Sequence, residues 1–231
     1  CAKVSKNGKD NLDHKAHTGR RLSLSVCPRP MPTPVIHIID DDASLREALR
    51  GLLRSMDFDT RDYASMDTFL SSERPDRPGC VLVDVRLPGG NGLDLQRRMV
   101  GAGIREPVVV MTGYGDVPMS VRAMKDGAVD FLTKPIRDQD LLDAVCTALA
   151  RDVARRQEDG AAHDLQRRYQ TLTDRERQVM NLVARGQLNK QAAAQLDISE
   201  TTIKAHRRGV MQKMQADTLA DLVRMADRLS L

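Results

Sequence analysis

The stretch Cys80-Val81-Leu82-Val83-Asp84 constrains this chain more than any other. Four small or branched apolar residues in a row read as a strand buried on both faces, which is the pattern of a parallel sheet covered by helices on either side. The run then ends on a single carboxylate. In open sheets of this kind ligands sit at the carboxyl ends of the strands, so an acid there either does chemistry or opens a polar loop. Taken alone, Asp84 fits both readings about equally, but it has company. Val35-Ile36-His37-Ile38-Ile39 runs into Asp40-Asp41-Asp42, Pro107-Val108-Val109-Val110-Met111 into Thr112, and Val129-Asp130-Phe131-Leu132-Thr133 into Lys134-Pro135. A helix-like segment follows each run, and short strand-to-helix connections bring all of these ends to one edge. Carboxylates, a hydroxyl and an ammonium are therefore expected to meet there.

The rest of the first half fits the same alternation. Leu45, Ala48, Leu49, Leu52, Leu53 and Met56 recur at helical spacing, with Ser44 as the expected N-cap. A weaker strand (58 to 63) and a short helix (65 to 71) follow. The loop Arg86-Leu87-Pro88-Gly89-Gly90-Asn91-Gly92 is dense in turn formers and lets the backbone fold closely over Asp84. Helices from Leu93, over 117 to 125, and through Leu141, Leu142, Val145 and Leu149 complete five strand-helix units. The expected fold is a doubly wound, five-stranded parallel sheet over residues 35 to 150.

Residues 151 to 169 are charged and contain one glycine, and read as a linker, part helical and part flexible. At Leu172-Thr173-Asp174-Arg175-Glu176 a capping box, Thr173 with Glu176, starts a new helix. A short helix (189 to 196), the turn Asp197-Ile198-Ser199 and a longer helix (200 to 214) make a helix-turn-helix, and a last helix (219 to 229) closes a small all-α, four-helix module over residues 170 to 231.

Charge separates the segments. Basic against acidic residues number 7 and 2 in residues 1 to 30, 14 and 19 in 31 to 150, and 15 and 11 in 151 to 231. An acidic middle suits a cation or a phosphoryl group, and a basic end suits a polyanion. Residues 1 to 34 lack apolar periodicity and are expected to be a disordered extension, with Met31 read as a candidate start. No apolar run approaches a membrane span, and a cytoplasmic location is expected. Cys1, Cys27, Cys80 and Cys146 have no metal-ligand spacing; Cys80 and Cys146 fall in expected core elements, and no disulfide is expected.

The residues 35 to 150 resemble a two-component receiver domain, and 170 to 231 resemble a LuxR-type helix-turn-helix, together a response regulator of the FixJ/NarL class. The resemblance rests on DDD, DVRLPGGNG, MTGYGDVPMSVRAMKDGAVDFLTKP and LTDRERQVMNLVARG, with Thr112 and Lys134 standing 28 and 50 residues beyond Asp84. It implies that Asp84 accepts a phosphoryl group from a sensor histidine kinase, and that Asp40, Asp41, Asp84 and the Arg86 main-chain carbonyl hold Mg²⁺. Thr112 and Lys134 would bind phosphoryl oxygens, with Thr112 and Phe131 as a switch pair and Arg86 and Tyr114 tuning hydrolysis. Closely spaced carboxylates favour a hard divalent cation on chemical grounds as well. The resemblance further implies that Lys204, Ala205, Arg207 and Arg208 project from the recognition helix, with Lys204, Ala205 and Arg208 at base edges. Lys190, Thr201 and Thr202 would contact phosphates of double-stranded DNA, and phosphorylation would promote a homodimer. Gly209, inside the recognition helix, and Ala192, where a larger aliphatic residue is usual, depart from the pattern.

Two other readings compete. Asp40-Asp41-Asp42-Ala43-Ser44 nearly matches the signature of a haloacid-dehalogenase-like phosphohydrolase, which would make Asp40 the nucleophile but leave Asp84 and the C-terminal module unexplained. A degenerate receiver that only binds partners would not need every acid, Thr112 and Lys134.

Overall fold

A computed structural model describes residues 33 to 88, 90 to 113 and 117 to 231; the extension through residue 32, Gly89 and Tyr114 lie outside the described residues, as does the Val117 side chain. Strands β1 (Val35–Ile39), β2 (Asp59–Tyr63), β3 (Gly79–Asp84), β6 (Val108–Thr112) and β7 (Asp130–Thr133) form one parallel sheet in the order β2-β1-β3-β6-β7. A two-residue ladder of β4 (Arg86–Leu87) and β5 (Gly90–Asn91) stands apart from it. The strand order reverses between β1 and β3, which is where such sheets open a crevice at the carboxyl ends of their strands.

Alternation along the strands feeds two cores. Cys80 and Leu82 of β3, with Ile36, Ile38, Val109 and Met111, pack under α1 (Ala43–Ser55) and the start of α5 (Asp138–Gln170). Val81 and Val83, with Ile39 and Val110, pack under α2 (Met66–Ser71), α3 (Leu95–Gly101) and α4 (Val117–Lys125). Each such fully buried branched side chain contributes about 1.5 to 3 kcal/mol over leaving it exposed.

The structure amends the local reading in three places. Asp42, not Ser44, caps α1: its Oδ1 accepts the N–H groups of Ser44 at 2.8 Å and Leu45 at 3.2 Å. A carboxylate answers the helix's unpaired N–H groups and its positive end better than a hydroxyl does. Residues 151 to 169 are helical throughout, as part of α5, with Gly160 inside the helix. Cys80 is buried, but Cys146 lies on the exposed side of α5 rather than in the core.

Beyond α5, the helices α6 (Asp174–Ala184), α7 (Asn189–Leu196), α8 (Glu200–Met214) and α9 (Leu219–Arg228) surround a third core. It is built from Val179, Met180, Val183, Ile203, Val210, Met214 and Leu222, and Leu165 and Tyr169 from the end of α5 join it. The Thr173–Glu176 capping box forms as read, and the α7–α8 turn passes through Asp197 in the left-handed region at φ 52°. No helix among the described residues is long and apolar enough to cross a membrane.

Candidate functional site

Main-chain hydrogen bonds carry the strand pairing one step past the strands and so fix the site's backbone. Asp40 N–H donates to Tyr63 O at 3.2 Å, Val85 N–H to Met111 O at 2.9 Å, and Lys134 N–H to Thr112 O at 2.7 Å. The ends of β1, β3, β6 and β7 are thereby aligned, and four side chains distant in sequence meet on one edge.

Their chemistry is tightly coupled. The Lys134 ammonium donates to Asp40 Oδ2 at 2.7 Å and lies 2.7 Å from Asp84 Oδ1. Each carboxylate also accepts a main-chain N–H: Asp42 to Asp40 Oδ1 at 2.9 Å, and Arg86 to Asp84 Oδ2 at 2.7 Å. Asp40 and Thr112 are 0 % and 1 % exposed, whereas Asp84 keeps 5 %. Burial works to lower the Lys134 pKa, but the hydrogen bonds to Asp40 and Asp84 outweigh it and hold the ammonium above the usual lysine range. The Lys134–Pro135 peptide bond is cis.

Asp41 is exposed at the rim of the same edge, and Phe131 is half-buried against the core beneath α4. Three carboxylates against the one ammonium that bridges two of them leave a charge of about −2 at this edge, which a divalent cation would neutralise. Among the described residues no three metal-ligating side chains close into a cage. An open edge of one or two carboxylates is the setting in which Mg²⁺, which retains water and shares phosphate oxygens, is ordinarily held, so the residues fit that ion.

The glycine-rich loop is legible in the sequence, but the role of Gly92 is not. Its N–H donates to Val85 O at 2.8 Å, and a Cβ there would overlap the carbonyl oxygen of Asp84. Only glycine lets the loop lie this close behind the acid. The signal was present in the Asn91-Gly92 pair. Next to Thr112, a Cβ on Gly113 would meet nothing within 4 Å among the described residues.

In the C-terminal module, Ile203, Val210 and Met214 of α8 face inward and are 0 % exposed. Lys204, Ala205, Arg208 and Thr201 are exposed on the opposite side, as is Lys190 at the start of α7. Thr202 is half-buried; its N–H donates to Ser199 Oγ at 3.1 Å and its hydroxyl pairs with the same oxygen at 2.8 Å, so it takes part in the helix cap. Arg207 departs from the expected outward set. It is half-buried and donates to Asn189 Oδ1 at 3.1 Å, because α7 passes over that face of α8 and Asn189 supplies the nearest acceptor.

Gly209 also has a local cause. A Cβ there would stand 2.6 Å from Glu176 Oε1. Glu176 is nearly buried and accepts from Thr173 N–H at 2.8 Å and Lys213 Nζ at 2.6 Å. Burial would raise its carboxyl, but the hydrogen bonds from Lys213 and Thr173 outweigh that and hold it below the usual range. The glycine lets α8 approach this pair. Ala192 is fully buried in the third core.

Comparison with known proteins agrees with both halves. Residues 36 to 146 match the response regulator receiver domain, and residues 170 to 226 match the bacterial regulatory proteins of the luxR family. Nodulation protein W of Bradyrhizobium diazoefficiens is 46 % identical over 197 residues, covering 85 % of this chain and 87 % of that protein. The transcriptional regulatory protein FixJ of Azorhizobium caulinodans is 41 % identical over 199 residues, covering 86 % and 93 %. The solved structure of the response regulator StyR has a TM-score of 0.75 and 43 % identity, over 85 % of this chain and 100 % of that one. The strand-end acids, the lysine that joins two of them and the helix-turn-helix that follows thus belong to one known arrangement: this chain is a member of the response regulators that join a receiver domain to a LuxR-type helix-turn-helix, and is a phosphorylation-dependent transcriptional regulator.

Proposed function

We propose that Asp84 is the phosphoacceptor, taking the phosphoryl group of a sensor histidine kinase, and that phosphorylation promotes dimerisation and binding of residues 170 to 231 to paired half-sites on double-stranded DNA. The supporting observation is the position of Asp84 at the end of the central strand, between Lys134 and the loop closed by Gly92, with more exposure than its neighbour Asp40. An Asp84 carboxylate oxygen attacks phosphorus. The phosphorus–nitrogen bond to the kinase imidazole breaks, and its electron pair returns to the ring. Lys134 then offers its ammonium, and Thr112 its hydroxyl, to the phosphoryl oxygens.

Asp40, Asp41, Asp84 and the Arg86 carbonyl are the oxygens that would hold Mg²⁺, which supplies neutralisation of charge on the phosphoryl oxygens when bound. The chemistry is self-phosphorylation and hydrolysis at one carboxylate, not turnover of a released substrate. The division into a receiver over 35 to 150, a connecting segment over 151 to 169 and a DNA-binding domain over 170 to 231 follows the same reading, in the cytoplasm where kinase and DNA are both reached.

Phe131, half-buried on β7 and in register with Val110 of β6, is the partner through which movement of Thr112 reaches the surface of α4 and β7. Turning a mostly resting population into a mostly active one requires a preference of up to about 5.5 kcal/mol for the active state, within reach of one doubly charged group gripped by Lys134 and a cation. Intact-mass measurement after treatment with acetyl phosphate and Mg²⁺ tests the assignment. One added phosphoryl group on the wild-type chain and none on Asp84→Asn is expected. An adduct retained in Asp84→Asn and lost in Asp40→Asn would instead make Asp40 the nucleophile, as in a phosphohydrolase.

A further inference from the structure

Helix α5 runs for 33 residues, from Asp138 to Gln170, and its two ends belong to different cores. Leu141, Ala144, Val145, Ala148 and Leu149 pack against the sheet, while Leu165 and Tyr169 pack into the C-terminal module. The buried residue after Leu149 on the sheet side is not apolar. Asp152 is 0 % exposed, a placement a carboxylate tolerates only when its charge and lone pairs are answered.

They are answered from both sides. Asp152 Oδ2 accepts the main-chain N–H of Gly79, the first residue of β3, at 3.1 Å and Arg156 Nε at 2.7 Å, and Oδ1 accepts Arg155 Nη2 at 2.5 Å. Arg156 reaches on to Asp76, before β3, at 2.7 Å. Arg155 and Arg105 both donate to Asp159, at 2.9 and 3.0 Å. The helix is thus fastened to the amino end of the strand whose carboxyl end carries Asp84.

Support then stops. Gly160, Ala161, Ala162, His163 and Asp164 are all exposed, and the side-chain bond found there among the described residues is Asp164 to Arg167 within the same helix. A Cβ on Gly160 would meet nothing within 4 Å, so packing does not require the glycine, and its presence weakens the helix at that point.

We propose that Asp152 is the positioning residue that fastens α5 to the receiver, and that the bare turn from Gly160 to Asp164 is where the connection gives when the two halves rearrange. The functional part of this inference rests on the switch proposed above; the mechanical part does not. Hydrogen exchange on the full-length chain reads the mechanics. Amides of residues 150 to 158 are expected to be protected and those of 160 to 164 to exchange faster. Asp152→Ala should raise exchange over 150 to 158 by tenfold or more, and Asp152→Asn, which keeps an acceptor for Gly79 N–H, should restore part of the protection. Gly160→Ala, for which there is open space, should slow exchange at 160 to 164 about fivefold.

Phosphate uptake by intact mass should be unchanged in Asp152→Asn and Gly160→Ala, while the ratio of DNA affinity with and without phosphorylation falls in both. Unchanged protection in Asp152→Ala overturns the fastening. If Asp152→Ala does not fold, equal protection in Asp152→Asn and wild type overturns it instead. Slowed exchange in Gly160→Ala with an unaltered affinity ratio overturns the bare turn as the point of give. If the wild-type chain itself gains no DNA affinity on phosphorylation, the proposed switch fails, and the exchange data still judge the fastening.

Discussion

Lys134 and Lys204 are both proposed to meet an anionic partner, a phosphoryl group for the first and a DNA base edge for the second, yet their surroundings are opposite. Lys134 is pinned between two buried carboxylates, its side chain 23 % exposed, on an edge assembled from four strands far apart in sequence. Lys204 and Arg208 stand exposed on one helix, and among the described residues their side chains make no hydrogen bond or ion pair. The first region is preorganised, so that a change in one group alters the state of the others. The second is a row of separate contacts whose contributions are close to independent. A chemical step needs the former, while reading a long polyanion is served by the latter.

The largest effect should fall on the coupled site. Lys134→Met leaves Asp40 and Asp84 buried without their cation, a change that typically costs about 3 to 5 kcal/mol. Urea unfolding should show a loss of that size, with part recovered on adding Mg²⁺. A loss no larger than that of an exposed lysine would mean that the edge is not a coupled unit.

Acid sharpens the same contrast. His37 is fully buried, its Nδ1 3.1 Å from the Tyr63 hydroxyl and its Nε2 without a partner among the described residues. Burial, aided by the charges of Arg61, Arg74 and Arg77, lowers its pKa to about 4. Because the unfolded chain takes up a proton near pH 6.5 and the folded chain does not, stability is full above that pH and declines as pH falls from about 6.5 to 4. The decline is on the order of 3 kcal/mol and levels off below. His37→Gln should flatten this part of the receiver's stability curve; an unchanged slope would remove His37 as its cause.

On the helical side, Lys204→Ala with Arg208→Ala should weaken specific DNA binding by about 2 kcal/mol or more and leave unfolding unchanged, as base contacts are lost without a core contact. Salt-varied titration separates the two terms. An equal loss on specific and non-specific DNA would assign both residues to phosphates. The smallest effect is the most diagnostic of packing. Gly209→Ala improves helix propensity by about 1 kcal/mol, yet it should destabilise the module by about 1 kcal/mol net, because the new methyl meets Glu176. Net stabilisation would show that α8 has room to shift.

The two regions also differ in how far residues alone revealed them. Asp40, Asp84, Thr112 and Lys134 were legible because each ends an apolar run, and a parallel sheet leaves such ends only one edge to share. The helix-turn-helix was legible because its caps and apolar spacing are local. The α1 cap is less legible: Ser44 is the familiar cap type, but Asp42, two residues earlier, is the side chain that takes the N–H groups. Arg207 and Gly209 depend on which neighbouring helix crosses α8 and where, and nothing in the α8 sequence states that. Residues 151 to 169 read as partly flexible because their composition is that of a solvated segment. Their helical form is supported from outside, by Gly79, Asp76 and Arg105 on one side and by the third core on the other. Asp152 carried no signal, being one acid in a charged helix.

On the proposed switch, the state of Asp84 governs the row of contacts on α8. Duplexes selected from a random pool by the fragment 170 to 231 provide a probe that does not depend on the receiver. Their affinity for the full-length chain, with and without acetyl phosphate and Mg²⁺, should be measured across a range of salt concentrations. The phosphorylated chain is expected to bind at least tenfold tighter at every salt concentration, and Asp84→Asn to show no gain. Equal affinity of the phosphorylated and unphosphorylated chains throughout would contradict the account.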